Sequence, residues 1–165
     1  MIVRIRRPHT GARFIHPIDP HPRTAILAGG FQETKEVRVF PRGWSDSAER
    51  FQPASVAGSA DVLRKLARTG VGLDNSVIVF TYEGERGLSL EDREMFWSAF
   101  GVPVFEQYLG PRNELLAMEC DAHAGLHVVA GCEDLGLERE VCACGSHAPR
   151  LSRMARIEEL AELLA

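Results

Sequence analysis

The chain has 165 residues, of which 45% are hydrophobic and 25% are charged, and its formal net charge is −4. This length and this balance predict one folded domain and exclude an intrinsically disordered chain. The acidic charge argues against a general nucleic-acid binder, which would carry a basic stripe. No window approaches the ~18 consecutive apolar residues that span a bilayer, so no membrane partner is predicted.

The first residues and the cysteines bear on the cellular compartment. The N-terminal residues contain no apolar segment of the kind that a secretory signal requires, so we expect a cytoplasmic protein. The basic cluster of Arg4, Arg6 and Arg7 is typical of a solvated strand edge. Because the cytoplasm keeps thiols reduced, the four cysteines are predicted to be metal ligands or core residues rather than disulfides.

Residues 1–53 are predicted to form an irregular N-terminal lead-in. Four prolines among the first 22 residues remove backbone donors and fix φ, which favours an extended and turn-rich chain. Short strands are predicted at 2–5, 24–28 and 36–40, and a loop at 42–53. The histidines of this region match no metal-ligand spacing, so we interpret them as ordinary residues.

Residues 54–110 are predicted to form an α/β core that contains two helices. Ser59 is typical of a helix N-cap, and the apolar spacing after it predicts a helix that Gly70 ends. Ser89 is expected to cap a second helix, which Gly101 ends. Each helix carries one apolar stripe, so each is expected to face a core on one side only.

Two predicted strands flank the second of these helices. The β-branched run at 76–81 is typical of a strand buried on both faces in a parallel sheet, and a further strand is predicted at 102–107. The alternation of helix and strand with short connections predicts right-handed βαβ units. The fold class is therefore predicted to be α/β, with a small and mainly parallel sheet.

Residues 111–165 form the third region, in which the pattern changes. Antiparallel strands are predicted at 114–119 and 125–129, as a small zinc-bound β subdomain near the C-terminus. The chain ends in a predicted amphipathic helix, whose apolar positions are Ile157, Leu160, Leu163 and Leu164. We expect the three regions to pack as one compact domain.

Six potential metal ligands lie within 25 residues of this region. They are Cys120, His123, His127, Cys132, Cys142 and Cys144. Zinc needs four soft or borderline donors in a tetrahedron, and thiolates and imidazoles supply them. Residues 142–144 form a two-thiol hook whose turn the following glycine relieves, and a hairpin over 121–126 would bring two further ligands together. The preferred ligand set for a structural Zn²⁺ is Cys120, His127, Cys142 and Cys144.

Other interpretations of the cysteines stay open. They are reduced core residues in one alternative, which suits Cys132 after its apolar run. A redox role for Cys142 and Cys144 is a second alternative, although the neighbouring segments show no thioredoxin-like pattern. A catalytic zinc is a third, and it requires an open coordination position that three thiolates and one imidazole would close.

The motifs of the third region are Glu-Cys, Gly-Leu-His, Cys-x-Cys-Gly and Pro-Arg, in that order. This pattern closely resembles the adenylate-forming ligases of the phenylacetate–CoA ligase type. Earlier stretches resemble that family's Ser-containing loop with its helix, the stretch that lines its nucleotide pocket, and the strand before its adenylate motif. In chain order the matching stretches are 54–73, 82–89, 100–110 and 119–150.

The resemblance implies two sites. In some members of that family such cysteines and the histidine hold zinc, which supports the same four ligands here. A remnant nucleotide site for ATP or AMP is implied at Glu85, Tyr108 and Gly110, with Arg86 beside it and Tyr108 as the residue that would stack on adenine.

The sequence also departs from the family. It has no Ser/Thr/Gly-rich phosphate loop, and it ends at Ala165 before the domain that carries the catalytic lysine. Its two lysines, Lys35 and Lys65, stand at no matching position. The adenylate motif retains Tyr108 but has no acidic residue at the magnesium position, with Glu114 displaced from it. Adenylation needs these electrostatic parts, so we expect a shortened, degenerate fragment rather than an independent acyl-CoA ligase.

Two functions are therefore predicted. The first is a zinc-binding, ligase-like domain that serves as a non-catalytic subunit or interaction module. A bare sheet face is an association site, so we expect the N-terminal residues, a second copy of the chain or another protein to cover it. The second is a nucleotide- or acyl-binding component of an AMP-forming acyl-CoA ligase system.

Overall fold

The computed structural model describes residues 11–129 and 137–151. The strand predicted at 2–5, Cys132 and the predicted C-terminal helix lie outside the described residues. In chain order the elements are β1 (Thr24–Ile26), β2 (Val37–Val39), α1 (Asp46–Phe51), β3 (Ser55–Ser59), α2 (Ala60–Ala67), β4 (Ser76–Tyr82), α3 (Leu90–Phe100), β5 (Val104–Leu109), β6 (Leu115–Glu119), β7 (Leu126–Val128), β8 (Leu137–Glu138) and β9 (Arg150–Leu151).

All the described strands belong to one mixed sheet, in the order β2-β1-β3-β4-β5-β6-β7-β9-β8. The first five strands pair in parallel, and every pair from β5 onward is antiparallel. The α/β class and the parallel first part are confirmed. The separate smaller sheet is a wrong expectation, because Gln107 of β5 pairs with Met118 of β6 and continues the same sheet.

The parallel strands carry apolar side chains on both faces, as the β-branched run in β4 predicted. On one face Val77 and Val79 of β4 pack under α2 and α3 through Leu63 and Phe96, all fully buried. On the other face Ile78 and Phe80 pack against the lead-in. Phe14 and Phe31 supply this cover, with the Phe31 and Phe80 rings stacked 5.1 Å apart between centroids. The N-terminal residues therefore cover this face within the chain itself.

Both predicted helices of the core are present, and their termini show why. Ser89 lies at the N-cap of α3, and its Oγ accepts a hydrogen bond from the backbone N–H of Asp92 at 3.0 Å. Gly101 ends α3 in the left-handed region at φ +68. Ser59 lies at the N-cap of α2, but its side chain makes no capping hydrogen bond.

Two elements of the first half were not predicted. The segment at 42–53, predicted as a loop, contains α1, which has six residues and only Ala48 buried. A helix this short gives no periodic signal. β3 was also missed, because Ser-Val-Ala-Gly-Ser has little β-propensity of its own. It forms a strand because it pairs with both β1 and β4, where a Cβ on Gly58 would be in ordinary contact with Leu27 Cβ at 3.4 Å.

None of the helices within residues 11–129 and 137–151 has both the length and the apolar character that a membrane span requires.

Candidate metal centre and the cavity at Glu85

One of the four preferred ligands lies in a strand of the antiparallel part, and the other three lie in the segments next to its strands. His127 lies in β7 opposite Met118 of β6, and Cys120 lies two residues beyond Met118. Because side chains alternate along a strand, Cys120 and His127 point to the same face of the sheet. Cys142 and Cys144 lie on the loop that connects β8 to β9, and β9 pairs directly with β7.

The ligand atoms of these four residues all lie within 4.8 Å of one another. His127 Nε2 is 3.3 Å from Cys120 Sγ and 3.4 Å from Cys144 Sγ. Cys120 Sγ is 3.7 Å from Cys142 Sγ. Donors that sit about 2.0–2.3 Å from a tetrahedral zinc ion are roughly 3.4–3.8 Å from one another. The donor set and its spacing therefore fit one zinc ion.

The two-thiol hook owes its shape to a tight turn. The backbone N–H of Gly145 donates to the Cys142 carbonyl at 2.8 Å, and the N–H of Cys142 donates to the Ser146 carbonyl at 3.0 Å. Gly145 has φ +85, a conformation that residues with a Cβ rarely adopt. Cys142 is buried while Cys144 is exposed, so the turn presents one thiol from inside the protein and one from the surface.

The thiols of Cys120 and Cys142 differ in their acidity. Burial raises the pKa of the Cys120 thiol to about 11. The backbone N–H of Cys144 donates to the Cys142 sulfur, and this hydrogen bond lowers the pKa of Cys142 to about 6. Cys142 is therefore the more acidic of these two thiols. Because metals bind thiolates, a cation held by this cluster would displace the protons of the thiols that are still protonated.

Of the two other potential ligands that the sequence offers, only His123 lies within the described residues. His123 lies in the loop between β6 and β7, with Nδ1 3.7 Å from Glu119 Oε2 and its ring stacked on Phe105 at 4.9 Å. Cys132 lies outside the described residues. The preferred ligand set leaves out His123, and His123 is not among the four residues of the cluster.

Two arginines near the centre were not singled out as structural residues by the sequence. Arg93 of α3 forms a bidentate pair with the buried carboxylate of Glu119, at 3.0 and 2.9 Å, and so ties α3 to β6. Arg150 donates from Nη1 to the Ala124 carbonyl and holds the loop between the ligands of β6 and β7. Neither pairing has a local sequence signal, since the partners lie 26 residues apart in both cases.

Of the three residues implied as a nucleotide site, one lines a cavity and the other two are described by their own surroundings. Glu85 lines a cavity of about 400 Å³ at the carboxyl ends of β3 and β4. Tyr108 is only 5% exposed and packs with Ala117 and Leu126 of the antiparallel part. Gly110 lies in the turn after β5, where a Cβ would meet the Glu114 side chain at 2.5 Å. Neither Tyr108 nor Gly110 lines the cavity that contains Glu85.

The charged groups of this cavity largely neutralise one another. Arg64 donates to Asp61 at 2.6 Å and to Asp92 at 2.9 and 2.8 Å. The hydrogen bond from Arg64 holds the pKa of Asp92 below its ordinary value. With Glu85 and Arg86 the lining holds three carboxylates and two guanidinium groups, a formal balance of −1. Such a surface does not attract a phosphate chain.

No protein-family model matches this sequence, and no curated protein matches it. Among solved structures, the chain is similar to an open conformation of 2-hydroxyisobutyryl-CoA ligase in complex with 2-HIB-AMP and CoA. The TM-score is 0.57 and the sequence identity 12%. The two chains share a fold. The match covers 82% of this chain and 45% of the ligase chain, so this chain spans less than half of that ligase.

Proposed function

We propose that this chain is a zinc-stabilised, ligase-like domain that acts as a non-catalytic subunit or interaction module. The observation that carries the proposal is the convergence of Cys120, His127, Cys142 and Cys144 within 4.8 Å. Three thiolates and one imidazole complete a tetrahedron, which is the coordination of a structural zinc rather than of a catalytic one.

The strands of the antiparallel part are short, so a metal ion that links their side chains would stabilise this part of the sheet. β8 and β9 have two residues each, and β7 has three. Strands this short contribute few ladder hydrogen bonds. A zinc ion that binds side chains from β7 and from the segments after β6 and β8 would tie three strands together, because metal binding free energy contributes directly to folding.

A non-catalytic role is supported by the charges of the 400 Å³ cavity that Glu85 lines. Its two arginines are outnumbered by carboxylates, and Arg64 is fully engaged by Asp61 and Asp92. Adenylation requires cationic groups around the phosphates of ATP. The shared fold therefore comes with a cavity whose charge suits a structural or binding role better than adenylation.

The metal content of the purified protein tests the zinc site. Plasma mass spectrometry should find close to one zinc per chain in the wild type, and much less in Cys144→Ser. The matched control is Cys132→Ser, which changes a cysteine outside the proposed ligand set and should keep its zinc. A folded wild-type protein without metal would reduce the three cysteines to core or surface residues.

The interaction role predicts an assembly larger than one chain, either a homodimer or a complex with another protein. Two large apolar side chains near the metal centre support this role: Val129 is 54% exposed and Val141 is 57% exposed. Size-exclusion chromatography with light scattering, on the protein alone and on protein isolated from its own cells, measures the mass. A clean monomer in both preparations would contradict the interaction role and leave the zinc site untouched.

A second candidate function is a nucleotide- or acyl-binding component of an AMP-forming ligase system. The observation in its favour is the place of the 400 Å³ cavity, at the carboxyl ends of β3 and β4 and beside the N-termini of α2 and α3. In open α/β sheets this edge is where ligands bind. Titration calorimetry with ATP, AMP and CoA separates the two candidates, because the first predicts no heat with any of them.

A further inference from the structure

The sulfur ligands of the proposed metal centre differ in their access to solvent. Cys142 is 3% exposed and Cys120 is half-buried, whereas Cys144 is exposed. The residues on either side of it, Ala143 and Gly145, are exposed as well, so the turn that carries Cys144 faces solvent. Cys144 is therefore the ligand of the centre that a small dissolved reagent meets first.

An exposed ligand thiolate is also a site for oxidation. Cysteine reacts with peroxides as the thiolate, which is the same form that binds a metal ion. The first product is a sulfenic acid, which condenses with a second thiol to a disulfide when one lies within reach. Cys120, Cys142 and Cys144 are all free of disulfide bonds, so the outcome at Cys144 depends on which of the other two its sulfur can join.

The sulfur of Cys120 lies within reach of the sulfur of Cys144. Both sulfurs contact His127 Nε2, at 3.3 and 3.4 Å, and they lie within 4.8 Å of each other. A disulfide joins its sulfurs at about 2.0 Å, so the two must approach by about 2.8 Å at most. Rotation of the exposed Cys144 side chain about its Cα–Cβ bond moves the sulfur by a distance of this order.

Cys142 is the competing partner, and the tight turn holds it in place. Its backbone N–H donates to the Ser146 carbonyl, and its carbonyl accepts from the Gly145 N–H. Its sulfur accepts the backbone N–H of Cys144, so this sulfur faces the main chain of Cys144 rather than its side chain. Cys120 lies on a separate segment, directly after β6, and can bond to Cys144 without opening the turn.

From this arrangement we propose that Cys144 is a peroxide-sensitive modification site, and that its oxidation to a disulfide with Cys120 releases the metal ion. The inference rests on the proposed function, since it takes the four ligands to hold zinc. It adds a regulation of that centre by hydrogen peroxide or an organic hydroperoxide.

The oxidation proceeds in two steps. The Cys144 sulfur attacks one oxygen of hydrogen peroxide, the O–O bond breaks and hydroxide leaves, which gives a sulfenic acid at Cys144. The Cys120 sulfur then attacks the sulfenic sulfur, so that the S–S bond forms, the S–O bond breaks and a second hydroxide leaves. In sum, two thiolates are oxidised to one disulfide, and one peroxide takes up two protons from water and is reduced to two water molecules.

The disulfide removes two of the four ligands at once. His127 and Cys142 remain, and two donors are too few for a tetrahedral zinc site, so the ion leaves. The new bond still joins the segment after β6 to the loop between β8 and β9, but the link to β7 through His127 is lost. Reduction of the disulfide by a thiol restores the four ligands, which makes the change reversible.

Titration of the zinc-loaded full chain with hydrogen peroxide tests the proposal. A colorimetric chelator follows the released zinc, and mass spectrometry of tryptic peptides locates the disulfide after the free thiols are alkylated. Trypsin cuts after Arg112, Arg139 and Arg150, so Cys120 falls in peptide 113–139 and Cys144 in peptide 140–150. We expect zinc release and the joined pair of peptides to appear together, and both to reverse when dithiothreitol and zinc are added.

Two variants sharpen the assignment. Cys144→His keeps four donors while removing the exposed thiol, so it should hold zinc and release it at least about tenfold more slowly under peroxide. Cys132→Ser is the matched control and should release zinc as the wild type does. This control also leaves Cys120 as the one cysteine of peptide 113–139, so that a joined pair of peptides identifies its partner.

The outcomes separate this inference from the proposed function. A wild-type protein that holds no zinc before peroxide is added would overturn both. Zinc that is bound and stays bound under peroxide would overturn this inference alone, as would a disulfide within peptide 140–150 in place of the joined pair. Equal release from wild type and zinc-loaded Cys144→His would also overturn it, and the peptide map decides the case if that variant loses its zinc.

Discussion

The two parts of the sheet differ in what stabilises them. The parallel part, from β1 to β5, has strands of up to seven residues and two apolar clusters, one on each face. The antiparallel part, from β6 to β9, has strands of two to five residues. Its apolar cluster has four buried members, and one of them belongs to β5 of the parallel part. The members are Tyr108 of β5, Ala117, Leu126 and Leu151.

This difference explains where the thiols are. The parallel part buries β-branched and aromatic side chains on both faces and needs no cross-link, and the described cysteines all lie beyond β6. The antiparallel part buries less apolar surface, and the four ligand side chains meet on one of its faces. With the proposed metal site, the comparison predicts that burial stabilises one part and a cross-link through the ligand side chains stabilises the other. The following changes test this difference.

The largest effect is expected from His127→Ala. Structural zinc contributes about 10 kcal/mol or more to small zinc domains, so a site that loses its imidazole should lose the metal and unfold the antiparallel part. NMR spectra should show lost dispersion for β6 to β9 and retained signals for β3 to β5. The matched control is His147→Ala, an exposed histidine outside the cluster, which should keep both metal and spectrum. A dispersed spectrum in metal-free His127→Ala would break the comparison.

The reverse experiment is Phe96→Ala, in the core of the parallel part. Phe96 belongs to α3 and its ring is fully buried. Truncating such a ring costs about 3–5 kcal/mol. The midpoint of urea unfolding should fall while the zinc content of the folded protein stays constant. The exposed neighbour Trp97→Ala serves as control and should change stability by about 0.5 kcal/mol at most. Zinc loss in folded Phe96→Ala would show that the two parts are not independent.

The link between the two parts is tested by Arg93→Met. This change removes both hydrogen bonds to the buried Glu119 carboxylate and should cost about 3 kcal/mol. The compared variant is Arg64→Met, which breaks pairs with Asp61 and Asp92 nearer the surface and should cost about 1 kcal/mol. Equal losses in the two variants, measured by urea unfolding, would argue against a buried link between α3 and β6.

A smaller, pH-dependent effect belongs to His16, which holds the lead-in to the parallel part. Burial lowers the pKa of His16 from 6.5 to about 4, and its Nε2 lies 3.3 Å from the Ser76 hydroxyl. The unfolded chain takes up this proton at higher pH than the folded one. The contribution of His16 is therefore complete above pH 6.5 and is lost as pH falls toward 4, by about 2 kcal/mol.

His16→Gln tests this dependence, because the variant has no imidazole to titrate. The difference in unfolding free energy between wild type and His16→Gln should shrink as pH falls from 7 to 4. His21→Gln is the control, a neighbouring histidine whose ring centroid lies 6.3 Å away. Because His21 is the smallest of the causes that act on the His16 pKa, this variant should keep most of the wild-type slope. Parallel curves for wild type and His16→Gln would contradict the shift.

The sequence predicted those features that local chemistry determines. The β-branched run of β4, the Ser89 cap and the Gly101 stop are local signals, and each element lies within a few residues of its predicted place. The ligand set could also be predicted from the sequence, because a Cys-x-Cys pair and two further ligands at hairpin spacing leave few ways to build a tetrahedron. The structure brings the ligand atoms of these four side chains within 4.8 Å of one another.

The features that the sequence did not predict depend on contacts between residues far apart in the chain. β3 has a weak strand signal of its own and is recognised only by its parallel pairing with β1 on one side and β4 on the other. The continuity of the sheet depends on the pairing of Gln107 with Met118, which no local pattern reveals. Likewise, Tyr108 follows a strand in a ligase-like motif, but its ring is buried against Leu126 from a strand that the motif does not include.

The most direct test of the account compares hydrogen exchange of the zinc-loaded protein with that of the protein after chelation. The account predicts that chelation speeds amide exchange in β6, β7 and β9 by several orders of magnitude, while the amides of β3 and β4 keep their protection. Uniform loss of protection in both parts would show one cooperative unit, and unchanged exchange throughout would contradict a stabilising metal centre.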